Sequence, residues 1–326
     1  MAVAIIKKLL RLVILLFAVS LLTFLLVSMS PVDPIRAYIG TDMLLVSPEQ
    51  REQIEAYWGL DQPLFTQYVQ WISSILSGDF GTSLIHRVPV TEVIADRFFS
   101  SILLIALAWL MSGMLGVMLG SVAAMKKGSW IDRVIRGYCY LLLSTPGFWL
   151  GLLLLMVFSV WLGIFPTGLS APIGMTTGDI TLFDRLYHAI LPALTLSIIG
   201  VANVCLHTRE KLIDVLKTPY ILQARANGYE GIYLFRRHGL RNMMLPAISV
   251  HFASFGELFG GAIIAEQVFS YPGLGQAVVD AGLQGDIPLF LAIVLISAVF
   301  VFVGNWIADI LYLVLDPRLR KRGNKS

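Results

Sequence analysis

Six apolar stretches, each about 20 residues long, constrain this chain more than any other feature. An α-helix of about 20 apolar residues crosses a hydrocarbon layer of about 30 Å, so stretches of this length predict membrane spans. Only 14% of the 326 residues are charged and 57% are hydrophobic, unlike an ordinary water-soluble domain. The predicted spans are Leu12–Met29, Ile102–Ala124, Tyr138–Phe165, Ile190–Leu206, Ala247–Phe269 and Leu289–Leu315. The predicted fold is an all-α integral membrane protein with six transmembrane helices, because a helix pairs its backbone groups internally.

The first apolar stretch has two interpretations. Lys7, Lys8 and Arg11 precede it, and it ends at Ser28-Met29-Ser30, which resembles a signal-peptidase site. Its length of 18 residues is long for a cleaved signal and sufficient for a span. We therefore favour a transmembrane helix whose basic start remains in the cytoplasm.

The distribution of lysine and arginine predicts that both termini are cytoplasmic. In that orientation 19 of the 24 basic residues fall in inner segments and five in outer ones. The reverse orientation would violate the positive-inside rule. The net charge of +3 does not suggest a nucleic-acid partner. The predicted domains are an N-terminal transmembrane helix (1–29), an external segment (30–99), a five-helix core (100–315) that includes a cytoplasmic loop (209–245), and a cytoplasmic tail (316–326).

The external segment is predicted to contain three short helices. Ser47-Pro48-Glu49-Gln50 is a capping box with proline at the first helical position. A second helix is indicated by apolar residues at helical spacing, namely Tyr68, Trp71, Ile72 and Ile75. Gly78–Gly81 predicts a turn, and Val90–Phe99 a third helix. A self-packed cap, a lid over an external gate and a docking surface for a soluble partner are the alternatives.

Common enzyme motifs are absent from the sequence. It contains no HExxH, no GxxxxGK[ST], no GxSxG and no GxGxxG. Cys139 and Cys205 have neither the number nor the spacing of a disulfide framework or a zinc site. We expect no catalytic residue, no metal site and no cofactor bound by this chain. If ATP drives the protein, another chain hydrolyses it.

The predicted cytoplasmic loop is unusually long for a compact bundle, which indicates a functional role. Pro219 is placed to start a short helix and Gly228 to end it. Ala224 and Ala226 would leave a small-residue surface that a partner can approach closely.

The same loop carries three arginines that bear on its role, Arg225, Arg237 and Arg241. They have two interpretations. They could meet lipid headgroups, as the positive-inside rule alone requires. They could also make charge-assisted hydrogen bonds to an acidic partner.

Several motifs in this loop and beyond it resemble one family. Ala224-Arg225-Ala226-Asn227-Gly228, followed by Arg237-His238, Arg241-Asn242 and Leu245-Pro246, is similar to the cytoplasmic EAA signature of ABC-importer permeases. The similarity is to the dipeptide/oligopeptide/nickel branch. Matching motifs elsewhere are Gly59–Leu64, Gly78–Gly81, Pro146–Trp149, Glu266–Phe269, Pro272–Gly275 and Asp316–Arg318. The first position of the signature holds Leu222 instead of glutamate, so no role is assigned to it.

The resemblance implies a set of partners. In this family the signature helix docks on a cytoplasmic ATPase. The implied assembly has a second homologous permease, two ATPase subunits and an extracytoplasmic solute-binding protein, in a bacterial plasma (inner) membrane. The expected coupling residues are Ala224, Arg225, Ala226, Asn227, Gly228, Arg237, His238, Arg241, Asn242 and Pro246. ATP would be used by the partner subunits alone.

Polar residues inside the predicted spans are candidates for the translocation path, because burying a charge in lipid is costly. Glu257 either lines the path and favours a cationic cargo, or pairs with a neighbouring helix and fixes packing. His251 lies about 240° away around the helix and is predicted to be a packed core histidine. Pro146-Gly147 is predicted to bend the third span.

Three classes of function follow from these features. The first is an ABC-importer permease working by alternating access. The second is a stand-alone channel or ion-coupled carrier, which would need more facing charges across the spans. The third, an intramembrane enzyme, is disfavoured by the missing motifs. For cargo, the Gly256–Gly261 segment resembles the nickel members more than the peptide members. The preferred prediction is nickel or metal chelates, with di- and oligopeptides as the alternative.

Overall fold

The computed structural model describes residues 2–29, 35, 47–58, 61–172, 174, 179–229, 231–235, 237, 248, 251–252 and 255–315. Over these residues the chain is helical and has no β-strand. The chain forms two compact units. The first comprises Met1–Ser100 with Pro272–Phe302, and the second Ser101–Tyr271 with Val303–Ser326.

The first unit contains helices α1 (Ala2–Ser28), α2 (Pro48–Trp58), α3 (Leu64–Leu76), the start of α4 (Val90–Met125), α11 (Leu274–Gln284) and most of α12 (Ile287–Leu315). The predicted capping box of α2 is confirmed. The Ser47 N–H donates to Gln50 Oε1 at 3.0 Å, and the Gln50 N–H donates to Ser47 Oγ at 3.3 Å. The predicted turn is also confirmed, with φ of +88° at Gly78 and +78° at Gly81.

The core of this first unit forms where the start of α4 packs on α11 and α12. Its buried members are Val90, Val93, Ile94, Leu274, Ala277, Ala281, Leu289, Ala292 and Ile293. Asp286, which is fully buried, holds the segment before α4 in place. Its carboxylate accepts hydrogen bonds from Ser83 Oγ at 2.5 Å, from the Ile85 N–H at 3.1 Å and from the Leu289 N–H at 3.2 Å. It thereby satisfies an otherwise unpaired N–H group at the start of α12.

The second unit contains the rest of α4, α5 (Trp130–Ser144), α6 (Gly147–Leu154), a π-helical segment (Leu155–Trp161), α7 (Leu182–Leu216), α8 (Pro219–Ala226), α9 (Gly231–Leu234), α10 (Phe255–Val268) and the end of α12. Helix α4 approaches α7 closely at Gly116 and Gly120. A Cβ on Gly120 would lie 2.5 Å from the carbonyl oxygen of Cys205. The two cysteines, both free, lie in one buried cluster between α5 and α7.

Three helical stretches are long and apolar enough to cross a membrane, namely Ile6–Ser28, Val90–Met125 and Ile287–Ile310. Two bent helix pairs raise the number to five if each pair is one span. The six predicted spans are therefore supported in part. Five residues of the predicted span Ala247–Phe269 lie outside the described residues, and the helix that follows them, α10, has 14 residues. The span Ala247–Phe269, the fifth in chain order, stays a prediction.

The predicted bend of the third span at Pro146-Gly147 is confirmed, because α5 and the segment Gly147–Trp161 meet at 106°. Pro146 has no N–H to donate, which explains why the break falls there. Val90–Phe99 is not a separate short helix but the first turns of the 36-residue α4. Helix α11, which follows Pro272-Gly273, was not predicted.

Candidate functional site

Helix α7 leads directly into the predicted docking segment, which contains α8. Helix α7 has 35 residues, more than the about 20 that cross a hydrocarbon layer, and its two parts, Leu182–Ile198 and Gly200–Leu216, meet at 45°. The predicted span ended at Leu206, but the helix continues to Leu216. Residues 209–216, predicted as loop, are therefore helical. Only Lys217 and Thr218 separate α7 from α8, so α8 is held close to the end of α7.

Helix α8 has well-defined ends, as predicted. Pro219 occupies the first turn, where its missing N–H costs nothing. At the other end Gly228 has φ of +84°. The Tyr229 N–H donates to the Ala224 carbonyl at 3.2 Å, and the Gly228 N–H to the Arg225 carbonyl at 2.9 Å. This pair of bonds is a Schellman motif, which stops the helix at a fixed residue.

One side of α8 is packed against its own chain. Ile221 and Ala224 are buried together with Leu234 of α9. Val215, Leu216 and Tyr229 pack against this cluster. Ala224 is only 5% exposed, so the predicted small-residue surface is wrong for this residue. Its small side chain instead lets α8 lie close to its own support.

The opposite side of α8 is exposed and centred on Ala226. On an ideal helix Ala226 lies about 140° from Ile221 and about 160° from Ala224, facing away from the cluster. Leu222, which is 54% exposed, and Gln223 flank it. We call Leu222, Gln223 and Ala226 the outer face of α8. Asn227 and Gly228, at the end of the helix, are also exposed.

Arg225 is exposed beside the outer face and not at its centre. It borders a cavity of about 360 Å³ that is also lined by Met125, Leu216, Gly231, Leu234 and Phe235. A guanidinium at this edge can donate hydrogen bonds to a carboxylate approaching α8. The structure therefore places a positive charge at the rim of a small, uncharged outer face.

A buried ion pair fixes α7 before it reaches α8. Arg209 donates to Asp132 through Nε at 2.6 Å and through a terminal nitrogen at 2.8 Å. Asp132 is 1% exposed and also accepts the Gly128 N–H at 2.9 Å. Arg136 lies 3.3 Å from the same carboxylate. Arg209 therefore forms an ion pair within this chain. No sequence signal links it to its partner, which lies 77 residues earlier.

The remaining predicted coupling residues are only partly described. Arg237 is exposed. His238, Arg241, Asn242 and Pro246 lie outside the described residues. Their predicted contribution to docking stays a prediction.

The second candidate site, at Glu257, lies on α10. Glu257 is exposed on this chain, and Gly260 and Ile264 continue the exposed stripe at helical spacing. The next glycine, Gly261, faces inward, where a Cβ would meet Leu196 of α7 at 2.8 Å. Gly261 therefore lets α10 pack closely on α7. A role for Glu257 in the path stays a prediction.

The deeply buried carboxylate of α10 is a different residue. Glu266 is 1% exposed, and Ser101 Oγ donates to its Oε1 at 2.6 Å. This buried role was not predicted, although a glutamate in an apolar stretch is a signal that could have indicated it. His251 is buried as expected and stacks on Trp109 with ring centroids 4.3 Å apart. Among the described residues no group of three or more His, Cys, Asp or Glu could hold a metal ion.

The long apolar helices define a class of protein, a multi-pass membrane protein. Comparison with known proteins makes the class specific. Residues 116–321 match the family described as binding-protein-dependent transport system inner membrane component, and residues 1–105 match its N-terminal counterpart. The chain belongs to this family and is a permease subunit of an ABC importer.

Individual relatives match over nearly the full length. The chain is 38% identical over 322 residues to the oligopeptide transport system permease protein AppB of Bacillus subtilis, covering 98% of this chain and 99% of that protein. It is 37% identical over 316 residues to the glutathione transport system permease protein GsiC of Escherichia coli K12, covering 97% and 98%. The fold is similar to a chain of the MetNI methionine ABC transporter, with a TM-score of 0.57 at 13% identity, over 69% of this chain and 97% of that one.

Proposed function

We propose that this permease imports short peptides, with ATP hydrolysed by separate subunits that dock on the outer face of α8. The partners are a second homologous permease, two cytoplasmic ATPases and an extracytoplasmic solute-binding protein. Both termini and α8 lie in the cytoplasm of a bacterial cell. This chain binds no cofactor of its own.

The observation that carries the docking proposal is how firmly α8 is attached to the rest of the chain. The helix is capped at both ends, joined to α7 by two residues and packed on a buried cluster. A helix held in this way moves with its support, so a force applied to it is transmitted to α7. The exposed small side chain of Ala226 allows a partner surface to approach the helix backbone closely.

The cargo prediction made from the sequence needs correction. The resemblance of Gly256–Gly261 to nickel transporters is not supported by the relatives, whose names specify oligopeptide and glutathione transport. Both cargoes named there are peptides or peptide-like molecules. We therefore propose peptide cargo, with Glu257 as a path residue facing outward from α10. Membership in this family also argues against the second predicted class, a stand-alone channel or ion-coupled carrier.

Substitution of Ala226 tests the docking proposal. Ala226→Trp places a large ring at the centre of the outer face without touching the buried cluster, so docking should be blocked by steric conflict. We expect the purified permease pair to lose most of its captured ATPase subunits and its ATP-dependent uptake. Peptide uptake in membrane vesicles and ATPase co-purification are the measurements.

The matched control is Ala56→Trp, which makes the same change at an exposed position on α2. This variant should keep both capture and uptake. Normal ATPase capture by Ala226→Trp would refute docking on this face. Equal loss in both variants would show that the effect is not specific to α8.

Competition experiments test the cargo proposal. We expect uptake of a labelled tripeptide by the reconstituted transporter to be inhibited by unlabelled di- to pentapeptides and to be unaffected by nickel ions or a nickel chelate. Inhibition by nickel with no effect of peptides would restore the metal prediction. Because the docking variants report ATPase binding, failure of the cargo proposal is distinguishable from failure of the docking proposal.

A further inference from the structure

Helix α3 is attached to the first membrane span by one of its faces. Tyr68 Oη and Ser20 Oγ of α1 are 2.8 Å apart and share a hydrogen bond. The Phe24 ring contacts Tyr68 and Trp71, with centroids 5.3 and 6.0 Å apart. These contacts place α3 alongside the Ser20–Phe24 part of α1.

A second face of α3 is apolar and uncovered in this chain. Phe65 is 78% exposed, Val69 47% and Leu76 82%. With the half-buried Ile72 they follow the spacing i, i+4, i+7, i+11, which is one stripe on a helix. We call these four residues the α3 stripe. The third face carries Gln70, Ser73 and Ser74, all exposed.

The position of the contact along α1 gives the depth of α3. The apolar span runs from Ile6 to Ser28. At about 1.5 Å per residue, Phe24 lies about 6 Å and Ser20 about 12 Å below the Ser28 end. Half of the hydrocarbon layer is about 15 Å thick. A helix that contacts both residues therefore lies beside the acyl-chain region of one leaflet.

The composition of α3 fits that location. Its 13 residues include no charged side chain, although the preceding α2 contains four. At about 20 Å it is too short to cross the bilayer. Apolar helices of 10–14 residues are typical of buried cores or of interfacial and re-entrant segments, and the exposure of Phe65 and Leu76 argues against a buried core. A stripe intended for a soluble partner would also have to be reached at acyl-chain depth.

We propose that α3 is an interfacial helix whose stripe contacts lipid acyl chains in the leaflet nearest Ser28. Its third face, with Gln70, Ser73 and Ser74, points toward headgroups and water. Burying the stripe in lipid holds the segment against α1. The inference depends on the membrane placement of α1 and is independent of ATPase docking and of the cargo.

Collision measurements on nitroxide labels test this location. Single cysteines are placed on the stripe as Phe65→Cys, Val69→Cys and Leu76→Cys, and on the polar face as Gln70→Cys and Ser74→Cys. The background carries Cys139→Ala and Cys205→Ala, so that only the introduced thiol can be labelled. The labelled permease is reconstituted with its partner subunits in lipid nanodiscs. Collision rates are measured with oxygen, which concentrates in acyl chains, and with chromium oxalate, which remains in water.

The proposal predicts a helical alternation in these rates. The ratio of oxygen to chromium oxalate collisions should be several-fold higher at the three stripe positions than at Gln70→Cys and Ser74→Cys. A stripe freely accessible to chromium oxalate would place α3 in water and overturn the proposal. Low collision rates with both reagents would mean that protein covers the stripe, which would also overturn it. The polar-face labels lie on the same helix as the stripe labels. A misfolded segment would therefore give similar collision ratios at all five positions, without the alternation.

Discussion

Gly228 is the residue on which the end of α8 depends. Its φ of +84° is unfavourable for residues with a Cβ, and a Cβ there would contact nothing within 4 Å. The requirement for glycine is therefore one of backbone conformation and not of space. It could be anticipated from the sequence, because glycine is the common residue where a helix stops in a Schellman motif.

Two substitutions at this position should therefore separate conformation from size. Gly228→Val forces a β-branched residue into the left-handed region at a cost of about 1–2 kcal/mol. ATPase binding should weaken by up to about thirtyfold, since about 1.4 kcal/mol corresponds to a factor of ten. Gly228→Asn, which tolerates this conformation better, should bind nearly normally. Equal affinities of the two variants, measured by titrating ATPase subunits onto the reconstituted permease, would contradict the conformational role.

Among the elements, α4 and α7 show how small residues set the packing of a membrane bundle. Gly116 and Gly120 are four residues apart on α4, the spacing that lets helices pack closely in lipid. Cβ atoms built on them would lie 2.6 Å from Val204 Cβ and 2.5 Å from the Cys205 carbonyl oxygen. Both distances are shorter than a real Cβ atom tolerates. The two backbones can approach only because these positions lack side chains.

A methyl group added at this approach should therefore destabilise the second unit. Gly120→Ala is expected to cost about 1–3 kcal/mol through overpacking. The matched change Gly137→Ala on α5, where a Cβ meets nothing within 4 Å, should instead be neutral or stabilising by up to about 1 kcal/mol. Thermal unfolding of the purified protein in detergent, followed by circular dichroism, measures both. A higher midpoint for Gly120→Ala than for Gly137→Ala would show that the helices are not closely packed there.

The elements that could be predicted from the sequence are those whose signals are local. The Ser47–Gln50 box, the Gly78–Gly81 turn and the Pro219 and Gly228 limits of α8 depend on neighbours within a few residues, and the structure has all of them. The inward orientation of Ala224 and the pairing of Arg209 with Asp132 depend on distant segments. One sequence does not reveal such contacts. Hydropathy likewise located the apolar part of α4, but it did not show that the amphipathic turns Val90–Phe99, predicted as a separate helix, continue into it.

At the scale of the whole molecule, the chain combines apolar helices long enough to span a membrane with the short, partly exposed helix α8. Family membership identifies the chain as an importer permease. The structure shows the buried cluster that holds α8 against the rest of the chain. In the docking proposal, ATP binding and hydrolysis shift the permease between conformations because the ATPases hold α8 differently in each. The proposal therefore requires that α8 lies in the cytoplasm and is covered there by an ATPase.

Cysteine labelling at the outer face is a direct test of this requirement. Ala226→Cys is made in the background without Cys139 and Cys205, and a membrane-impermeant maleimide is applied to intact cells and to inside-out vesicles. We predict no labelling in cells, full labelling in vesicles stripped of ATPase subunits, and protection when purified ATPase is added back. Labelling of intact cells, or labelling in vesicles that added ATPase leaves unchanged, would contradict docking on α8.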